Sequence, residues 1–337
     1  LRKKRRAWDS PPHEVKNLKL TDIYQPVQSD LEKVKEEIKS IRKVDFPWLS
    51  EQLGHVVRGV GKGIRPALTL LCGHFFQYDL TYLQPMAVSV ELMHTATLVH
   101  DDAIDRSAVR RGQATINQLW GGDIAILLGD YLFAKAGEYV ADTRDPRTVK
   151  LFSQTLAIIS SGEINQFRSA FKVEQTREDY FKRIGGKTAS LFSLATESGG
   201  ILSKAPGNAV TILRDYGYNL GLAFQIVDDI LDFTGNEEIL GKPVGSDLTQ
   251  GTLTLPAMLL LERYPDDNPV RKAFETKSEE NIRAAILQIQ ESSIADECYL
   301  IARKYCEKAC LGLRELPDKP ARKSLTELAE YIIARQI

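Results

Sequence analysis

The 337-residue chain is poor in cysteine, methionine and tryptophan, with only four, three and three of each. Its cysteines, Cys72, Cys298, Cys306 and Cys310, form no pair-of-pairs pattern. Cys306 and Cys310 are spaced to share a helix face, but no His or Cys nearby completes a zinc set. They read as reduced thiols in or near a core, which predicts a cytoplasmic protein. Neither sign of charge dominates. The formal net charge of −1 argues against a general nucleic-acid binder. Long apolar runs are missing too. The strongest, Leu253 to Leu261, is too short to span a bilayer and contains Pro256. Alternation of apolar and polar residues at the strand period is absent as well, so the chain reads as mostly helical.

What is present is ample material for a core, 43% of the residues being hydrophobic. Residues 2–6 read Arg-Lys-Lys-Arg-Arg, either a disordered basic tail or a membrane-surface anchor. No apolar segment follows, so this is not a secretory signal. We expect a tail over residues 1–18 and a single all-α domain over 19–337. Helical spacing marks Leu18 to Val44, then a helix from Pro66 through Cys72, and a central helix from Met86 to Asp105. Further helices are expected over Ile124 to Ala141, Val149 to Phe171, Glu178 to Leu202 and Leu220 to Thr234. The pair Gly185-Gly186 marks a kink or a close helix contact in the penultimate one. On Val149 to Phe171, Glu163 and Gln166 read as core hydrogen-bonding groups.

The central helix ends in acids. Asp101, Asp102 and Asp105 follow the mostly apolar run Val88 to Val99. Residues three and four apart share a helix face, so these carboxylates crowd one another. Such a cluster repels itself unless a cation lies between its members. Asp228, Asp229 and Asp232 repeat the spacing inside another apolar helix. One copy is a weak signal; two copies in apolar helices are a strong one. Six carboxylates across a cavity suit Mg²⁺, which takes oxygen ligands and is completed by water and substrate phosphates. Ions so held would stabilise a departing diphosphate.

Cations accompany the acids. Gly59 to Pro66, G-V-G-K-G-I-R-P, carries Lys62 and Arg65 on a glycine-rich loop, either a phosphate cradle or an ordinary interhelix turn. Arg110 and Arg111 follow the first acid cluster, and arginine's planar fork suits a diphosphate. His94 lies two turns before Asp101; a lone His there reads as a core residue or as a ligand. Gly235 to Gly251 is polar and glycine-rich, includes Lys242 and Asp247, and could fold over a site as a lid.

These residues resemble the trans-isoprenyl diphosphate synthases, or polyprenyl synthetases. G-K-G-I-R-P, H-T-A-T-L-V-H-D-D-A-I-D, R-R-G, K-T, F-Q-I-V-D-D-I-L-D and G-K-P-V-G-S-D-L occur in that family's order, from about residue 20 to the end. The resemblance implies an all-α isoprenoid-synthase bundle around a deep central cavity, a homodimer, and Mg²⁺ at both acid clusters, three ions with substrate bound. It makes Asp101, Asp105 and Asp228 the main ligands, with Asp102, Asp229 and Asp232 beside them. Arg110, Lys187 and Lys242 would clamp the diphosphate of an allylic substrate, farnesyl or geranylgeranyl diphosphate. Lys62, Arg65, His94 and Arg111 would bind isopentenyl diphosphate. Thr188 and Gln225 would lie near the allylic carbons, where their oxygens stabilise developing positive charge. Gly63 departs from the pattern where many members carry a basic residue, and Thr252 where short-chain members carry lysine. Neither change is expected to abolish diphosphate binding.

Product length follows from steric stops before Asp101. Ala96 and Thr97 are small there, Met93 lies one turn deeper, and Phe133 is the candidate for a deeper floor. This predicts a long product, about thirty to fifty carbons by resemblance, with a geranylgeranyl-length product as the alternative. Competing readings are a class I terpene cyclase, a non-catalytic partner subunit of a heteromeric prenyl synthase, and a diphosphate hydrolase. The second acid cluster fits a cyclase poorly, and an inactive subunit is not expected to keep all six acids.

Overall fold

Helices make up nearly every element of the computed structural model, which describes residues 18–59, 61–235 and 244–335. The basic tail and Lys242, with residues 236–243 of the expected lid, lie outside the described residues. The stretch expected as one helix from Leu18 to Val44 is two, α1 (Leu20–Ile23) and α2 (Gln28–Ser40), separated by a 3₁₀ turn over Gln25–Val27. Pro26 explains the break, because it cannot donate the hydrogen bond that a continuous helix needs there. The α2 helix buries Leu31, Val34 and Ile38, the face read from the spacing. Next come α3 (Pro47–Arg58), α4 (Ile64–Gly73) and the long α5 (Leu80–Ile104). The Asp79 carboxylate caps α5 by accepting from the Thr81 amide.

One departure from the all-helical expectation is a two-stranded hairpin, β1 (Val109–Arg110) paired antiparallel with β2 (Gln113–Ala114). Its central residues, Arg111 and Gly112, both have positive φ, 51° and 74°. That is the tight turn whose twist matches a hairpin. Two residues per strand are too few for alternation to register in the sequence.

The chain continues through α6 (Ile116–Trp120), α7 (Gly122–Asp142), α8 (Pro146–Ser169), α9 (Arg177–Ile184), α10 (Ser190–Leu202) and α11 (Gly207–Thr234). Asp145 caps α8 and Pro146 opens it, which is why the sequence breaks there. A capping box between Thr176 and Asp179 starts α9. Between α9 and α10 the chain makes one π turn, Gly185–Ala189, at the glycine pair. The rest is α12 (Ser246–Thr249), α13 (Leu255–Arg263), α14 (Pro269–Thr276), α15 (Glu279–Gln290), α16 (Ile294–Gly312) and α17 (Pro320–Ala334).

The α5 helix lies along α7, α10 packs between α4 and α11, and α11 also packs along α16. The α4 and α10 helices are buried on most sides, as expected of helices apolar nearly all round, and α11 is buried mainly from Tyr216 onward. This arrangement brings the C-terminal ends of α5 and α11 to the π turn, and with them both acid clusters. No described helix is long and apolar enough to cross a membrane. All four cysteines are free thiols, three buried and Cys310 half-buried.

Candidate active site

Lys187 is the hinge of the site. Held on the π turn, its ammonium lies 3.3 Å from Asp101 of α5 and 2.7 Å from Glu163 of α8. Burial opposes its charge, but Asp101 and Glu163 together raise its pKa to about 12. Glu163 therefore belongs to the site, not to a core network as its polar position on an apolar helix suggested. The neighbouring Thr188 hydroxyl donates to Gln225 Oε1 at 2.6 Å. Gln225 Nε2 donates to Asp229 Oδ1 at 2.8 Å, and the buried Tyr180 hydroxyl donates to Asp229 Oδ2 at 2.7 Å. A path of short polar contacts thus links the first acid cluster to the second.

The six acids are not equivalent. Arg110 donates through Nε to both oxygens of Asp102, at 2.8 and 2.9 Å. Asp229 has both oxygens occupied, as above. Asp232 accepts from the Ser246 hydroxyl at 2.7 Å and from the Asp247 amide at 3.1 Å. Asp101 and Asp228 make one ion pair each, with Lys187 and with Arg335 at 3.1 Å. Burial raises the pKa of Asp105; Lys187 opposes the shift and Asp101 adds to it. Burial also raises Asp102, against Arg110, and lifts Asp229 to about 6.

Among the described residues no three His, Cys, Asp or Glu side chains gather closely enough to hold a metal by themselves. The donors at hand are carboxylates on two helix ends, with repulsion within the first cluster. That set fits a hard cation whose shell is completed by water and phosphate oxygens.

A cationic wall stands opposite. Arg65 is half-buried over the Phe192 ring, 4.8 Å from its centre, and its Nε is sealed without a hydrogen-bond partner. Burial lowers its pKa to about 10, with Glu91 opposing. Arg111 donates to Gly59 O at 2.9 Å and lies so close to Gly61 that a Cβ there would meet its Nη1 at 2.5 Å. The Gly59–Pro66 loop and the hairpin turn are thereby clasped. Lys62 reaches the Tyr331 hydroxyl of α17 at 3.4 Å. His94 is held neutral: burial, then Arg65, Arg111 and Arg110, push its pKa well below 6.5.

Arg335, after α17, gave no signal in the sequence. It stacks 4.6 Å from the Phe224 ring centre and pairs with Asp228, while its Nε and Nη1 are buried without partners. Tyr180 likewise carried no motif. Of the chain-length candidates, Met93 and Ala96 are sealed from solvent, whereas Thr97 is half-buried. The Phe133 ring rests edge-on against His100, the residue before Asp101, at 5.4 Å.

Helices bearing two linked carboxylate clusters and a facing set of arginines form the frame of an isoprenyl-synthase bundle. A family model for the polyprenyl synthetases matches residues 46–289, and the chain belongs to that family. Its members transfer prenyl groups, and so does this enzyme. The chain is 36% identical over 322 residues to heptaprenyl diphosphate synthase component 2 of Bacillus subtilis (strain 168), covering 96% of this chain and 92% of that one. It is 33% identical over 337 residues to the chloroplastic solanesyl diphosphate synthase 1 of Arabidopsis thaliana, covering 98% and 82%. Among solved structures, a polyprenyl synthase from Caulobacter crescentus CB15, complexed with calcium and isoprenyl diphosphate, superposes with a TM-score of 0.91 at 31% identity, over 96% of this chain and all of that one.

Proposed function

We propose that the enzyme joins isopentenyl diphosphate head-to-tail to an allylic diphosphate, farnesyl or geranylgeranyl diphosphate, and makes a long-chain polyprenyl diphosphate with Mg²⁺ bound. The observation that carries this reading is the polar path from Asp101 through Lys187, Thr188 and Gln225 to Asp229. It supports a diphosphate seated between the two acid clusters, with allylic carbons beside Thr188 and Gln225.

Asp101, Asp105 and Asp228 are the proposed Mg²⁺ ligands, because their oxygens are the least occupied of the six. Bound there, the cations would neutralise the departing diphosphate. Asp102, Asp229 and Asp232 hold neighbours in place: Arg110, Gln225 and Tyr180, and the start of α12. Lys187 and Arg110 clamp the allylic diphosphate; Lys242 is retained in that role. Arg65, Lys62, Arg111 and neutral His94 receive isopentenyl diphosphate, the spare Arg65 Nε supplying a donor. Thr188 and Gln225 present oxygens to the cationic carbons. The released diphosphate can take the final proton, so no protein base is required.

Exposed apolar side chains on α6, α7 and α8 support a homodimer. Leu127 is 63% exposed, Ile164 64% and Phe167 78%, a concentration typical of a covered face. The name of the Bacillus subtilis relative, component 2, favours a second reading in which a further subunit is needed. The four free thiols support a reducing, cytoplasmic-type compartment.

The test is incubation of the pure protein with Mg²⁺, farnesyl diphosphate and radiolabelled isopentenyl diphosphate, the products separated by chain length. Lengthened prenyl diphosphates support the proposal, and a geranylgeranyl-length end point supports the medium-chain alternative. A cyclic hydrocarbon or free farnesol would overturn it. Absence of any product until a second subunit is added would favour the two-component reading.

A further inference from the structure

Away from the acid clusters, the end of α2, the C-terminal part of α3 and Gly61 of the loop that follows line a cleft of about 560 Å³. Lys35, Lys39, Arg42, Lys43 and Arg58 line it, with Glu36 as its acid. Glu36 is taken by Lys39 at 2.7 Å, and Lys35 pairs outside the cleft with Glu32 at 2.7 Å. Among the described residues Arg42, Lys43 and Arg58 have no carboxylate within ion-pair distance. The Ser50 hydroxyl donates to Arg42 O at 2.7 Å, tying the start of α3 to the chain leaving α2.

The turn between them and the start of α3 carry an exposed aromatic pair. Phe46 is 56% and Trp48 42% exposed, their ring centres 6.0 Å apart. Within Lys39–Arg58 four Lys and Arg face two acids, Asp45 and Glu51, in a chain whose net charge is −1. The basic excess is confined to this stretch, since Gln28–Ile38 before it carries two lysines against four acids.

Cations around a cleft, with an exposed Phe and Trp three and five residues after Lys43 in the chain, combine the two elements of interfacial anchoring. Lys and Arg are drawn to an anionic surface, and aromatic rings settle at the headgroup level. We propose that the α2–α3 corner docks the enzyme reversibly on an anionic lipid bilayer, with lipid phosphates over the cleft and Phe46 and Trp48 in the headgroup layer. Binding stands on this corner alone. Its use, release of a water-insoluble prenyl product next to a bilayer, rests on the function proposed above.

Co-sedimentation of the full chain with vesicles tests it. Vesicles of phosphatidylcholine mixed with phosphatidylglycerol should retain the protein, and phosphatidylcholine alone should not. Arg42→Ala with Lys43→Ala should weaken binding about thirtyfold, from two lost cations. Trp48→Phe should remove a lipid-induced blue shift in tryptophan fluorescence. Prenyl transfer in detergent should survive these changes, which controls for folding. Equal binding to both vesicle types, or binding indifferent to both substitutions, overturns the proposal. So does displacement by glycerol 3-phosphate at concentrations matching the lipid phosphate, which assigns the cleft to a free anion. Preferential retention by RNA over vesicles overturns it as well. Failure of prenyl transfer in the unmodified protein would count against the proposed function and leave the vesicle result standing.

Discussion

The Lys187 ammonium lies 2.7 Å from the Glu163 carboxylate, which ties the π turn to α8. Asp101 completes the pairing at 3.3 Å. Removing the cation leaves two partly buried carboxylates facing each other and takes away one of the positive charges proposed to clamp the substrate diphosphate. Lys187→Ala is expected to lower kcat/KM for the allylic substrate by about 10²- to 10³-fold, the loss of one preorganised charge contact. Glu163→Gln keeps the Lys187–Asp101 pair and should cost about tenfold or less. Steady-state kinetics with each substrate varied separately check this, and KM for isopentenyl diphosphate should move little in either variant.

The occupancy of the acids divides them into ligands and positioning groups. Asp101→Asn and Asp228→Asn should each lower kcat by about 10³-fold and raise the Mg²⁺ concentration needed for half-maximal rate. Asp229→Asn should leave that Mg²⁺ requirement nearly unchanged while lowering kcat, because it disturbs Gln225 and Tyr180. Chelation should abolish turnover, and added Mg²⁺ should restore it. A parallel rise in metal requirement for Asp229→Asn would assign it as a ligand.

His94 predicts an acid-side loss of stability. Its pKa in the fold is well below 6.5, so the unfolded chain binds a proton that the native chain refuses. The stabilising contribution is whole above about pH 6.5 and drains away as the pH falls below it. His94→Gln should therefore flatten the slope of melting temperature between neutral and mildly acidic buffers. Equal slopes for the two proteins would remove His94 as the cause.

Two small residues before Asp101 should respond differently to enlargement. Thr97 is half-buried, so Thr97→Phe should be accommodated without overpacking and should shorten the prenyl product. Ala96 is sealed. Ala96→Phe should overpack α5 and destabilise by about 1–3 kcal/mol or more, before any effect on length. Product chromatography and thermal melts separate the two effects; an unchanged product from a folded Thr97→Phe protein would end the steric-stop account at that position.

Much of this was legible in the order of residues. Two acid triplets in apolar helices, a glycine-rich loop with Lys62 and Arg65, and the K-T pair are local patterns. Local patterns survive without coordinates because helical spacing and charge repulsion act over a few residues. The helix break at Pro146 and an irregularity at the Gly185-Gly186 pair were readable for the same reason. The break at Pro26 shows the limit, since apolar spacing ran straight through a proline that ends the helix. The β1–β2 hairpin escaped because its strands are two residues long.

Partnerships between distant residues belong to the tertiary structure. Glu163 is one polar position on an apolar helix until the packing of α8 against the π turn sets it beside Lys187. Tyr180 has no motif until Asp229 is laid against it, and Arg335 stands more than a hundred residues from Asp228. The chain itself determined which groups carry charge and which helix faces are greasy. Only folding decided which carboxylate keeps an open oxygen, because occupancy depends on neighbours that separate stretches of chain bring within 3 Å.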